Sequence, residues 1–336
     1  METYMQAHLT DAVRQEAAAK YGIQASDLRP IGGFENAVYE YRIGNEDYIM
    51  RLVHSGHRSF QLVLGELEFI DYLDRNHARV STVIPDQQGN LAVQVSIDDI
   101  HYFTVCVFTK APGTFVSPTD LTPEFWTMFG TEVARLHELT TTYVPLHRRM
   151  EWFEENFWDL ADRVLDAEDQ DIRVLLDVVT KTIRQFPVQS DNYGLIHTDL
   201  HFHNMFYHEG QLTFFDFDDC AYKHFLSDIA IIIYYYNMRG RNRGTIDNET
   251  YHQRVRELLD PFLRGYHSVR PITREFLQEL NTFLHLRSLI LYVVLVAAGY
   301  KHHDDADTRL AVRLAKEQAI HHRMKLDLDS VIPDWL

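Results

Sequence analysis

The chain has 336 residues, 46% hydrophobic and 12% aromatic, with a net charge of −17. That composition excludes a disordered chain and suffices for two packed lobes. The negative charge excludes a general nucleic-acid binder, because phosphate backbones need a basic face.

The N-terminal stretch "METYMQAHLTDAVRQEAAAKYG" (1–22) reads as one charged, amphipathic helix without the apolar core of a signal peptide. In "LRPIGGFENAVYEYRIGNEDYIMRLV" (28–53), apolar and polar residues alternate around a turn at Gly44-Asn45, as in a β-hairpin whose last strand carries Arg51. Residues 59–75 place Leu62, Leu67, Phe69, Ile70 and Leu73 at helical spacing, and 91–97 and 101–109 read as two further strands. The Pro-, Gly- and Thr-rich run "KAPGTFVSPTDLTPE" (110–124) then marks a lobe boundary. Beyond it the pattern turns helical, over 123–139, 151–166, 170–186, 226–238, 249–266, 273–300 and 305–324, with short strands returning only around 193–217. The apolar run "SLILYVVLVAAGY" (288–300) falls short of a bilayer span and reads as a buried helix, so no membrane partner is expected. Cys106 and Cys220, the only cysteines, sit in apolar runs and read as reduced, buried thiols of a cytoplasmic protein. The expected fold class is α+β and bilobal. A small antiparallel-sheet lobe spans 1–109, a hinge lies at about 107–113, and a larger, mainly helical lobe spans 110–336.

One stretch, "LIHTDLHFHNMFYHEGQLTFFDFDDC" (195–220), concentrates the polar chemistry. His197, Asp199, His201 and His203 alternate as metal ligands on a strand can, and zinc accepts such a set. No second ligand signature such as His-Glu-x-x-His accompanies them, so a zinc cage is set aside. The aspartates follow a different logic. Asp199 precedes Asn204 by five residues, and a hydrophobic run delivers Asp216 twelve residues further on. This spacing resembles the catalytic and metal-binding loops of eukaryotic kinases. There, one carboxylate orients the attacking hydroxyl, while an amide oxygen and a second carboxylate hold Mg2+.

Together, "HTDLHFHN" and "FFDFDDC" resemble the loops of the aminoglycoside phosphotransferase and choline kinase superfamily. "LSDIAIIIYYY", "YIMRLV", "GELEFIDYL" and "EVARLHEL" extend the resemblance over most of the chain, nearest to the homoserine-kinase-like and stress-response-kinase-like branches. The resemblance implies a kinase-like fold binding ATP between its lobes. It casts Asp199 as catalytic base, Asn204 and Asp216 as Mg2+ ligands, and His197, His201 and Asp228 as supports of the catalytic loop. Arg51 stands where kinases use a lysine to hold the nucleotide phosphates, with Glu66 as its partner and Glu68 as the alternate. Gly32 and Gly33 fall at the phosphate-covering turn, and Val107 and Phe108 at the adenine-binding hinge.

Thr198 replaces the family's glycine, which suggests a less strained turn or a shifted loop. Asp218 and Asp219 read either as metal or substrate contacts or as a solvated acidic turn. Trp152, Trp158, Tyr234, Tyr235 and Tyr236 read as core or as lining of an acceptor pocket. "KHHDDAD" (301–307) reads as an exposed helix boundary rather than a metal tract. The implied activity is ATP- and Mg2+-dependent transfer of a phosphoryl group to the hydroxyl of a small molecule such as an aminoglycoside, homoserine, a choline-like alcohol or a sugar. The alternatives are a protein Ser/Thr kinase of the stress-response type and a non-catalytic nucleotide-binding pseudokinase.

Overall fold

A computed structural model describes residues 3–33, 35–155, 157–239 and 247–336. In chain order the strands are β1 (Arg29–Gly32), β2 (Ala37–Ile43), β3 (Glu46–His54), β4 (Val83–Ile84), β5 (Val93–Ser96), β6 (Tyr102–Thr109), β7 (Thr114–Phe115), β8 (Tyr193–Ile196), β9 (Met205–His208), β10 (Gln211–Phe214) and β11 (Ala221–His224). The chain divides into two compact units.

The first unit comprises Met1–Phe115 with Thr142–Arg149 and Asn204–Asp218. Its main sheet runs β1-β2-β3-β6-β4, with β5 also pairing with β6. β2 and β3 form the expected hairpin, because Ile43 pairs with Glu46 and leaves Gly44-Asn45 as a two-residue turn. The helix Phe60–Arg75 starts at an N-cap, Ser59, whose hydroxyl accepts from the Leu62 N–H at 3.4 Å. It buries Val63, Leu67, Phe69, Ile70 and Leu73 on one face, and Glu66 shares that face. β9 and β10 form a second small sheet with β7.

The N-terminal helix expected over 1–22 is two helices, Thr3–His8 and Asp11–Lys20. Thr10 breaks the run because its hydroxyl caps the second helix by accepting from the Val13 N–H.

The second unit comprises Val116–Thr141, Met150–His203 and Asp219–Leu336. Its scaffold is helical, with the short pair β8–β11 inserted. The helix expected over 151–166 begins only at Phe157, since Glu151 is drawn into a bridge with Tyr222. By length and composition Arg274–Ala297 is apolar enough to cross a membrane. It is divided into Arg274–Leu277 and Leu280–Ala297, and the longer piece packs against helices Leu226–Arg239, Gln170–Ile183 and Ala306–Ile320. Leu280, Phe283, Leu284, Leu289 and Val293 are buried there, as a core helix requires.

Two long helices, Pro123–Thr140 and Asn248–Val269, cross at reciprocal glycines. A Cβ built on Gly130 would lie 1.9 Å from the Phe262 carbonyl oxygen, and one on Gly265 1.8 Å from that of Thr127. Neither obstacle is a side chain that could turn aside. Gly130→Ala is therefore expected to destabilise the protein by about 1–3 kcal/mol, the usual range for overpacking. Urea unfolding with an unchanged m-value would show it, and an undiminished midpoint would contradict the close crossing.

Candidate active site

In the first unit, β3 directs Arg51 inward, where a charge cannot stand alone. Arg51 is 4% exposed and Glu66 is fully buried. The Arg51 Nη2 donates to Glu66 Oε2 at 2.6 Å, and Nη1 lies 3.6 Å from Asp216 Oδ1. Burial works against the Arg51 charge, but Glu66 outweighs it, so its pKa lies well above the ordinary arginine value. Glu68 is engaged elsewhere, accepting from His147 Nδ1 at 2.6 Å.

Asn204 precedes β9, and its carbonyl accepts from the Phe215 N–H at 3.0 Å, which draws it beside the residue before Asp216. Asp216 has φ +63° and an exposed carboxylate, whereas Asn204 is buried. Together they offer hard oxygen donors of the kind that fit Mg2+.

Asp218 overturns the solvated-turn reading. It is buried, accepts from His57 Nε2 at 2.6 Å, and lies 3.7 Å from Arg58 Nε. Burial would raise its pKa, but Arg58 and His57 hold it well below the usual carboxylate range. The buried Arg149 donates to the Asp218 carbonyl at 2.5 Å and to the Leu62 carbonyl at 2.8 Å. It thereby ties the loop after Asp216 to the helix that carries Glu66.

The backbone at two of the expected nucleotide-site positions is well defined. Val107 pairs with both Met50 and Ile84, and Phe108 with both Ile49 and Val83. Strands thus flank β6 on both sides at these residues, so their backbone edges face neighbouring strands rather than open space. Phe108 contributes its ring, 5.2 Å from the Arg51 guanidinium carbon. Gly32 pairs with Val38 at the end of β1 after a register shift, and Gly33 follows it, with φ of +130° and +128°. That is backbone only glycine adopts readily, and it leaves Gly32 exposed.

In the second unit, β8 leads into His197, Thr198 and Asp199. The His197 Nδ1 accepts from the Asp199 N–H at 3.3 Å, so the histidine supports the loop. Thr198 has φ +65°, the left-handed conformation that the family's glycine would take. The turn is not relaxed by the substitution; a β-branched residue is held in it. Its N–H donates to Asp228 Oδ1 at 2.9 Å, and its hydroxyl donates to the Asp219 carbonyl at 2.6 Å. Behind Asp228 lies His137, whose Nε2–H donates to Asp228 Oδ2 at 3.2 Å while its Nδ1 accepts from the Tyr266 hydroxyl at 2.9 Å. Burial lowers the His137 pKa and raises that of Tyr266, so both are neutral and these donor roles are fixed.

Asp199 itself is partly buried between two donors. Arg287 Nη2 reaches Oδ1 at 2.5 Å, and His201 Nε2 reaches Oδ2 at 3.1 Å. Burial pushes the Asp199 pKa up, yet Arg287 and then His201 bring it below the usual carboxylate range. Arg287 also donates to the Tyr235 hydroxyl at 2.6 Å and lies over that ring. His203 is exposed.

Sequence reasoning missed Arg287, Arg149 and His57. The signal for Arg287 was present: it is the one Asp, Glu, Lys or Arg in the apolar helix Leu280–Ala297. Of the aromatics considered, Trp152 and Tyr234 are buried, Tyr236 packs on Trp126, and Tyr235 stands beside Arg287. "KHHDDAD" behaves as a helix boundary. Lys301 pairs with Asp166 and Asp169, and Asp305 caps the helix Ala306–Ile320.

The turn at Thr198 can be tested without any ligand. Thr198→Val retains the left-handed strain and loses the hydroxyl bond, so it is expected to cost about 1–3 kcal/mol. Thr198→Gly loses the same bond but removes the strain, and should cost clearly less. Chemical denaturation of both variants gives the comparison; equal losses would argue against strain at this residue.

The profile of the phosphotransferase enzyme family matches residues 27–280. Amicoumacin kinase of Bacillus subtilis (strain 168) is 32% identical over 290 residues, covering 85% of this chain and 84% of that protein. Among solved structures, amicoumacin kinase hAmiN in complex with AMP-PNP, Ca2+ and Ami superposes with a TM-score of 0.88 at 27% identity, covering 96% of each chain. A microcompartment-associated aminopropanol kinase, at 20% identity and a TM-score of 0.73, shares the fold over 96% of this chain and 99% of its own. The α+β architecture is thus kinase-like, and the chain belongs to the phosphotransferase enzyme family.

Proposed function

We propose that the protein is an ATP- and Mg2+-dependent kinase that moves the γ-phosphoryl group of ATP to a hydroxyl of a small molecule. The observation that carries this reading is the buried ion pair Arg51–Glu66 with Asp216 3.6 Å from the same guanidinium. A fixed cation beside an exposed carboxylate suits a metal–phosphate complex, and burial against Glu66 holds the guanidinium in one orientation.

In this reading Arg51 grips the phosphates, and Asn204 and Asp216 hold Mg2+. The metal would neutralise charge on the transferring phosphoryl oxygens. Asp199 takes the hydroxyl proton as the acceptor oxygen bonds to the γ-phosphorus and the bond to the leaving ADP breaks. Thr198 and Asp228 orient the Asp199 backbone, and His201 orients its carboxylate. The relatives support a small-molecule acceptor over a protein, and amicoumacin is the first acceptor to try.

ADP release with amicoumacin, aminoglycosides, homoserine, choline and a generic protein substrate tests the reading. Transfer to the protein substrate alone would overturn it. Asp199→Ala is expected to lower kcat by on the order of 10²- to 10⁴-fold, while Mg-ATP still raises the Tm as it does in wild type. Asp216→Ala should instead abolish the metal dependence of that Tm rise. Since the folded Asp199 pKa is depressed, the group stays ionised from neutral pH down past the ordinary carboxylate value of about 4. The kcat–pH profile should therefore show no acid limb from Asp199 between about pH 5 and 7.

A further inference from the structure

We infer that Arg287, assisted by Tyr235, is the acceptor-recognition group, and that it selects alcohols carrying an electron-rich oxygen on a carbon one or two bonds from the hydroxyl-bearing carbon. Amides, carboxylates and second hydroxyls qualify. The inference rests on the proposed role of Asp199, because the acceptor must bring its hydroxyl to that carboxylate.

A guanidinium offers N–H groups on three nitrogens. Arg287 spends Nη2 on Asp199 Oδ1, at 2.5 Å, and on the Tyr235 oxygen, at 2.6 Å. Its Nε is buried with no acceptor, and Nη1 makes no hydrogen bond among the described residues. Tyr235 receives a hydrogen bond from Arg287, and its own hydroxyl proton has no acceptor among the described residues. A buried donor without a partner is costly, and this one is the one Asp, Glu, Lys or Arg on a largely apolar helix where packing alone would favour a leucine. Nε is closed off from solvent, so Nη1 and the Tyr235 hydroxyl are the donors left for an acceptor on the guanidinium that meets Asp199.

The other edge of Asp199 is closed differently. His201 Nδ1 accepts from the His203 N–H at 3.2 Å, so its Nε2 carries the proton that meets Asp199 Oδ2. That imidazole has no donor left for an acceptor. Oxygen recognition beside the reacting hydroxyl therefore falls to Arg287 and Tyr235.

Charge points the same way. The chain as a whole is strongly acidic, which favours cationic acceptors at long range. At the carboxylate itself the Asp199 anion is already paired with the Arg287 cation. An ammonium group one or two carbons from the reacting hydroxyl would face that cation, whereas a carbonyl or hydroxyl oxygen would satisfy it. Sites built to hydrogen-bond a polar group reject analogues that lack it, since their own donors are then left unpaired.

The test uses the full chain with Mg-ATP and three acceptors sharing a CH(OH)CH3 unit: lactamide, 1-amino-2-propanol and 2-butanol. Wild type is expected to show kcat/KM at least about 10-fold higher for lactamide than for either other alcohol. Arg287→Met should erase that preference mainly through KM, and Arg287→Lys should retain part of it. A wild-type preference for 1-amino-2-propanol overturns the inference. So does an Arg287→Met variant slowed on all three acceptors in the same proportion, the behaviour of a purely structural arginine. Should Arg287→Met fail to fold, Arg287→Lys with an unchanged Tm carries the comparison.

If wild type phosphorylates neither these three nor any small molecule of the panel given above, it is the kinase reading that fails. Calorimetric binding of lactamide then decides the present inference. Weakening by about 10-fold or more in the variant supports it; equal binding, or none to wild type, ends it.

Discussion

An ionised side chain withdrawn from water must be met by opposite charge and by hydrogen bonds, or it neutralises or expels itself. Most of the unusual chemistry in this protein follows from that constraint. Arg51 is buried because Glu66 is buried with it, and the helix that carries Glu66 is tied to the Asp216–Asp218 loop through Arg149. Asp218 is matched by His57 and Arg58. Asp199 is matched by Arg287 and His201. The His57–Asp218 and Arg287–Asp199 pairs join segments far apart in sequence, so satisfying the charges also fixes the geometry of the loops that carry them.

The backbone bears part of the same demand. Thr198 and Asp216 both adopt left-handed φ, at +65° and +63°. Residues with side chains enter that region at a cost and remain there only when surrounding contacts over-determine them. At Thr198 those contacts are identifiable. Asp228 accepts its N–H, and the Tyr266–His137–Asp228 relay holds that aspartate from behind. The strain lies one residue before the carboxylate it positions.

What was legible in the sequence was local. The β2–β3 hairpin announces itself by alternation and by Gly44-Asn45, and the Asp199, Asn204 and Asp216 spacing lies within one short stretch. The Arg51–Glu66 pairing was also within reach, since strand and helix follow each other closely. What was not legible depended on long-range packing. His57 meets Asp218 across 161 residues of chain, and Arg287 meets Asp199 across 88. The flanking of Val107 and Phe108 was hidden as well, because alternation marks a strand but not its neighbours, and β4 is only two residues long. The acidic "FDFDD" run looked solvated because composition cannot distinguish an exposed aspartate, Asp216, from a buried one, Asp218.

The stretch that matches the family profile stops at residue 280, and Arg287 comes after it. Every side chain assigned here to nucleotide and metal lies before that border, whereas the cation that meets Asp199 lies outside it, on the Leu280–Ala297 helix. Mutation on that helix can thus change the surroundings of Asp199 while Arg51, Asn204 and Asp216 stay as they are. Such a partition places the side chains of phosphate handling and the partner of Asp199 on separately mutable parts of the chain, one helix face at a time.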